Sequence, residues 1–324
     1  MKQAIRAGLA ALLALALPAA SRAQTFSPPY TPPPQRVGPP PAQEPAPDLA
    51  FGAYQRGFYI TAFREAMKRV TANPKDAAAM TLIGEIYRDG YAIRPDEAEA
   101  SRWYRLASGL GDREAAFALG ALLLNGAPGV DKDRAGAKEQ FERAAAQGEA
   151  GALYNLGVMA IEGDGDGKRD FAKAADYFRR AADAGDDNGA YSYGVLLRQG
   201  RGVPLDITES AHWLKRAADG GIIAGQVEYA IMLFNGVGVE KNEAAAAKIF
   251  LIAAARNNPI AQNRLAHLYV SGRGVPRDLV EAATWHRFAK AGGIEDAELD
   301  AATAHLTPAE LERVDQLLRR QTAF

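Results

Sequence analysis

The sequence predicts an all-α fold, an α-solenoid in which pairs of helices stack side by side. A glycine-rich loop recurs six times, and its copies are spaced 36 or 37 residues apart. An apolar segment of helical length precedes each loop, and an Asp or Asn that suits a helix N-terminus ends it. One helix pair of this size cannot bury its apolar faces alone, whereas stacked copies form a continuous core.

The first helix of each repeat is apolar almost all round and is therefore expected to lie between neighbouring helices. The copy at 187–222 shows this most clearly, because Gly194 is surrounded by tyrosine, valine and leucine. A small residue at this point lets another helix approach closely. The equivalent residues are Gly84, Gly120, Gly157, Ala230 and Ala266.

The loops end in residues that cap the second helix of each repeat. These predicted N-caps are Asp96, Asp133, Asp170, Asp206, Asn242 and Asp278. A glutamate three residues after three of them predicts a capping box, at Glu99, Glu209 and Glu281. Each second helix ends at a residue suited to the left-handed conformation, namely Gly111, Gly148, Gly185, Gly221, Asn257 and Gly293.

Three stretches resemble a known repeat most closely: "ASRWYRLASGLG" at 100–111, "YSYGVLLRQGRGVPLD" at 191–206 and "LAHLYVSGRGVPRDLVEAATWHRFAKAGG" at 265–293. They are similar to the Sel1-like repeat, a relative of the tetratricopeptide repeat, and the resemblance covers six repeats over 77–294. It implies a right-handed α-solenoid of antiparallel helix pairs and an exported bacterial protein.

The segments on either side of the repeats are expected to close the stack. Residues 48–76 resemble a degenerate leading helix pair of the tetratricopeptide type. Residues 295–324 predict C-terminal capping helices, since Thr307 and Glu310 form a capping box and an apolar stripe follows. A terminal helix that is polar on its outer face keeps a solenoid soluble.

The N-terminal part of the chain is predicted to direct export. Lys2 and Arg6 precede an apolar run at 7–17, and a small residue at Ala23 completes a signal peptide that spans 1–23. The run is too short to cross a membrane, and no cysteine follows it to carry a lipid. We therefore expect a periplasmic protein without a transmembrane or lipid anchor, with secretion as the second choice.

The next segment, 24–47, holds ten of the 18 prolines of the chain. Proline lacks a backbone donor and fixes φ, so this stretch is expected to be a disordered linker. Two roles stay open for it: a tether for the folded part, or a PxxP ligand for the groove of another protein.

The sequence contains no recognisable catalytic constellation and predicts a protein that is not an enzyme. The absence of cysteine excludes thiolate zinc sites and cysteine nucleophiles, and 38 basic residues against 39 acidic ones provide no basic surface for nucleic acid. The loop "GDGDGKRD" at 163–170 alternates glycine with acidic residues, but Lys168 stands where calcium needs an oxygen ligand. The prediction is therefore no metal, no cofactor and no nucleic acid partner.

A protein or peptide is the expected partner. In tetratricopeptide-like stacks the first helices line the concave face, so the resemblance implies a groove that is apolar and aromatic in the middle and polar at its ends. The candidate partner-binding residues are Phe117, Tyr154, Tyr191, Arg198, Phe234 and His267. Two interpretations stay open for the aromatic side chains, because internal packing explains them as well as contact with a ligand.

The predicted function is a non-catalytic, exported scaffold that binds a protein or peptide partner. The resemblance implies roles of this kind, including envelope signalling or regulation. The alternative is a cell-wall or β-lactam-binding or hydrolysing protein of the Sel1-like type. The relatives with that activity are rich in cysteine, and this chain has none.

Overall fold

The computed structural model describes residues 48–91, 93–163 and 167–322, and these residues form sixteen helices. The predicted signal peptide and the proline-rich linker lie outside the described residues. The centre of the glycine–acid loop in the third repeat lies outside them as well. Within the described ranges, every helix is too short to cross a bilayer.

The helices follow one another in pairs along the chain. The leading segment holds α1 (Leu49–Gln55) and α2 (Tyr59–Ala72). The six repeats hold α3 (Ala77–Asp89), α4 (Glu97–Gly109), α5 (Arg113–Asn125), α6 (Arg134–Ala145), α7 (Ala150–Glu162), α8 (Phe171–Asp183), α9 (Asp187–Gln199), α10 (Ile207–Asp219), α11 (Ile223–Asn235), α12 (Glu243–Ala255), α13 (Pro259–Ser271) and α14 (Leu279–Ala291). The C-terminal segment holds α15 (Ala297–Thr303) and α16 (Pro308–Thr322).

Each first helix packs closely against the second helix of its own repeat, which confirms the predicted role of the small residue. A methyl group added at Gly120 would lie 2.8 Å from the ring of Phe141, and one at Gly157 would lie 2.6 Å from the ring of Phe178. Both rings are buried. Each second helix also packs against the first helix of the next repeat, so clusters of buried apolar residues follow one another along the stack.

The second glycine of the loop has a role that the sequence patterns did not reveal. At Gly238, whose φ is +73°, an added methyl group would lie 2.5 Å from the carbonyl oxygen of Ile207. Ile207 is the first residue of the second helix in the preceding repeat. The equivalent Gly202 and Gly274 approach that helix start in the same way. These glycines are needed because the loop presses against the backbone of the neighbouring repeat.

The predicted caps at both ends of the second helices are confirmed. All six N-cap side chains accept a backbone N–H from the first turn. All six terminal residues have positive φ, and Asn257, at +59°, is the one residue other than glycine with this conformation in the described ranges. Asparagine tolerates the left-handed region better than most residues, so it replaces glycine here.

The capping boxes predicted within the repeats are wrong in their second half. The backbone N–H of Asp206 donates to the carbonyl of Leu197 at 3.1 Å, because the short loop folds the cap back onto the first helix. Glu209 instead accepts from the indole nitrogen of Trp213 at 2.7 Å. The box predicted near the C-terminus is confirmed, since Glu310 accepts from the backbone N–H of Thr307 at 2.8 Å.

The C-terminal helices are attached to the sixth repeat. Val314 of α16 is fully buried and packs with Val280 and Ala283 of α14. Leu299 of α15 is also fully buried and extends the core of the last two repeats. Most other side chains of α16 are exposed, so this helix presents a polar outer surface.

Candidate first-helix binding face

The first helices of successive repeats share one surface, which we call the first-helix face. It consists of the fifth, ninth and twelfth residues of each first helix. In the second to fifth repeats these are Phe117, Ala121, Leu124, Tyr154, Val158, Ile161, Tyr191, Val195, Arg198, Val227, Ile231 and Phe234. Ten of the twelve are half-buried, and Arg198 is the one charged residue among them.

Direct contacts between neighbouring first helices show that this face is continuous through the middle repeats. The ring of Phe117 lies so close to Gly151 of α7 that a methyl group there would be 2.9 Å away. The hydroxyl of Tyr154 forms a hydrogen bond with Ser192 of α9, and burial raises the pKa of this tyrosine. The predicted Phe117 and Tyr154 therefore lie on one continuous surface while also contributing to packing.

Arg198 is engaged by a partner that the sequence interpretation did not identify. Its guanidinium donates to both carboxylate oxygens of Glu228 on α11, at 2.6 and 3.1 Å. Both side chains are partly exposed, at 32% and 25%. The sequence did contain a signal for this partner. Glu228 is the sixth residue of α11, and the sixth residue of the first helix is uncharged in the four preceding repeats, as Leu82, Ala118, Asn155 and Ser192.

Tyr191 lies beside this ion pair. Burial and the nearby carboxylate of Glu228 raise its pKa to about 12, although Arg198 acts in the opposite direction. The phenol therefore remains protonated at neutral pH. The structure brings together Tyr154, Tyr191 and Arg198 from the predicted set and adds Glu228 to them.

The last two predicted residues occupy separate surroundings. The ring of Phe234 lies 4.1 Å from the guanidinium of Arg273, which is itself held by Glu243. His267 lies at the C-terminal junction, where its Nε2 atom is 2.8 Å from a carboxylate oxygen of Asp296. The cation on the ring of Phe234 is therefore Arg273, and the partner of His267 is Asp296.

The first-repeat end of the face is polar. Glu85 is the ninth residue of α3, and burial raises its pKa. The hydroxyl of Tyr104 donates to Glu85 at 2.8 Å, and the hydroxyl of Tyr54 donates to Asp89 at 3.2 Å. Arg88 pairs with both carboxylates. These groups satisfy one another, so this end forms a closed hydrogen-bonded network beside the apolar middle.

The family model of the Sel1 repeat matches the chain six times, at 77–112, 113–149, 150–186, 188–222, 223–258 and 259–294. A Sel1 repeat protein from Oxalobacter formigenes is similar in structure, with a TM-score of 0.62 and 25% identity; the match covers 77% of this chain and 99% of that one. The antigen c5321, described as protective and present in uropathogenic Escherichia coli strains, shares the fold with a TM-score of 0.54 and 23% identity, covering 84% of this chain and 67% of that one. No curated protein matches the chain.

Proposed function

Because the chain belongs to the Sel1-repeat family, whose fold generally serves as a protein-interaction scaffold, we propose that it is a non-catalytic scaffold that binds a segment of a partner protein on the first-helix face. The observation that carries this proposal is the half-buried, largely apolar strip that crosses four repeats, in which the one charged residue, Arg198, is paired with Glu228. Partly open aromatic side chains are the groups that most often dominate protein interfaces.

The opposite surface supports the same choice by contrast. The outward side chains of the second helices in the third and fourth repeats include Arg179, Arg180 and Lys215, which are about half exposed. Leu106 of α4 and Leu251 and Ile252 of α12 are exposed apolar exceptions, and they lie on second helices of the first and fifth repeats. A continuous apolar strip is more useful for holding an extended or helical segment than such separated side chains.

Site-specific photo-crosslinking tests the proposed binding face. A photoreactive phenylalanine analogue at Tyr191 is expected to crosslink one envelope protein when the purified chain is mixed with an envelope extract. The matched control carries the analogue at Tyr177, a half-buried tyrosine on the second helix α8. Equal crosslinking from both positions, or crosslinking from Tyr177 alone, would show that the partner binds elsewhere.

A second measurement separates binding from packing at the same residues. Substituting Tyr191→Ala is expected to weaken binding of the crosslinked partner by a factor of about thirty, since interface hot spots contribute about 2 kcal/mol. Tyr177→Ala is expected to leave that affinity unchanged. If Tyr191→Ala lowers the melting temperature sharply and leaves the affinity of the folded variant unchanged, the tyrosine is a packing residue.

Export to the periplasm, with a role in envelope signalling or regulation, belongs to the same proposal. It is supported by the charged N-terminus, the apolar run and the small residues around Ala23. N-terminal sequencing of the periplasmic fraction is expected to return Gln24 as the first residue. A sequence that begins at Met1 in the exported protein would contradict it.

A further inference from the structure

Arg198 is the one charged residue among the twelve positions that define the first-helix face in the second to fifth repeats, and it forms an ion pair with Glu228. Both oxygens of Glu228 accept from Arg198, and this bidentate arrangement occupies the two outer nitrogens of the guanidinium. Across the second to fifth repeats, the fifth, ninth and twelfth positions offer a ligand no other charged side chain. Arg198 and Glu228 together therefore add no net charge to the strip, and the guanidinium of Arg273 on the ring of Phe234 is likewise paired, with Glu243.

Resting on the proposed function, we propose that Glu228 determines which segments the first-helix face accepts. By neutralising Arg198, it makes the face selective for uncharged segments rich in leucine and aromatic residues. Acidic segments are rejected, because a ligand carboxylate that binds Arg198 must displace Glu228. The displaced carboxylate of Glu228 would then remain unpaired and partly desolvated beside Tyr191. Basic segments are rejected for the converse reason, since they must displace Arg198.

The place of the Arg198–Glu228 pair distinguishes it from an ion pair that joins repeats elsewhere. Arg134 and Glu162 also join neighbouring repeats, at 2.9 Å, and their side chains are exposed to a similar extent. That pair bridges a second helix to the next first helix, away from the first-helix face as defined. Arg198 and Glu228 differ from that pair in their place, because both side chains belong to first helices, on or directly beside the first-helix face.

Replacing Glu228 alone is expected to change the preferred ligand. Glu228→Gln keeps the shape of the side chain and leaves the guanidinium of Arg198 without its countercharge in an apolar strip. A free guanidinium in a partly desolvated site attracts carboxylates strongly. Peptides that contain Asp or Glu are then expected to bind on the order of tenfold more tightly than they bind the unaltered protein.

The experiment is selection from a random dodecapeptide phage library on the immobilised, purified protein. The unaltered chain is expected to enrich leucine, phenylalanine, tyrosine and tryptophan and to deplete all charged residues. Glu228→Gln is expected to enrich Asp and Glu, and Arg198→Gln to enrich Lys and Arg. The double variant with both glutamines restores the depletion of charge, and the control Glu162→Gln leaves the profile unchanged.

Each outcome has a distinct meaning. If the unaltered protein enriches apolar peptides and neither single variant shifts the charge of the selected peptides, the inference about Glu228 is wrong and the proposed function survives. If the unaltered protein enriches no peptides above the blank support, both are wrong. Melting temperatures identify any variant that fails to fold. If one single variant does not fold, the charge of the peptides selected by the other single variant tests the inference.

Discussion

Gly238→Ala tests whether the loops hold neighbouring repeats in register. The added methyl group meets the carbonyl oxygen of Ile207 at 2.5 Å and its carbonyl carbon at 3.0 Å, so the loop or α10 must shift. Displacing packed backbone costs about 1–3 kcal/mol. Holding an alanine at the φ of +73° costs about 1 kcal/mol more. We expect the free energy of unfolding to fall by roughly 3 kcal/mol.

The chain provides a matched control for this prediction. Gly167 occupies the corresponding loop of the third repeat with a φ of +72°, and an added methyl group there meets no atom within 4 Å. Gly167→Ala therefore carries only the conformational cost, about 1 kcal/mol. Urea unfolding followed by circular dichroism gives both values from the shift in midpoint at constant slope. Equal losses in the two variants would refute the argument that close contact between repeats requires glycine at position 238.

Two further predictions concern helix ends. Asp206→Ala removes the acceptor of the Glu209 backbone N–H and is expected to lower the free energy of unfolding in urea by about 1 kcal/mol. The control Leu205→Ala alters a side chain that is 63% exposed and should cost almost nothing. Equal effects of the two substitutions would argue against capping by Asp206. Burial opposes a low pKa at Asp296, but hydrogen bonds from Asn263 and His267 lower it below its ordinary 3.8. This contribution to stability is present above pH 3.8 and lost as the pH falls further. Asp296→Asn should therefore lower the melting temperature more at pH 7 than near pH 2, and a constant difference would contradict the assignment.

The contacts at the two ends of the first-helix face explain why its middle is the candidate site. Glu85, Arg88 and Asp89 bind one another and two tyrosines at one end, while His267 and Asp296 are paired at the other. A ligand gains little by approaching groups that already satisfy one another, because it must first separate them. An uncharged ligand meets no such penalty in the middle, since its contact removes exposed aromatic and aliphatic surface from water and leaves the pair of Arg198 and Glu228 intact.

The sequence by itself determined the features that depend on local chain geometry. The six repeats, the N-cap residues and the left-handed helix ends were all predicted, including Asn257 in place of glycine. Each of these follows from interactions within a few residues, such as a side-chain oxygen that accepts from the next turn. The apolar middle of the first-helix face was expected as well, but from positions that the resemblance to tetratricopeptide-like stacks implies.

Only the tertiary structure decided which residues meet between repeats. Arg198 binds Glu228, which lies 30 residues further along the chain, and Gly238 touches a helix start that belongs to the preceding repeat. The backbone N–H of Asp206 likewise donates to a carbonyl of the first helix and not to the side chain of Glu209. These pairings depend on how far and at what angle one repeat is displaced from the next. That displacement arises from packing summed over many side chains, so no local pattern in the sequence encodes it.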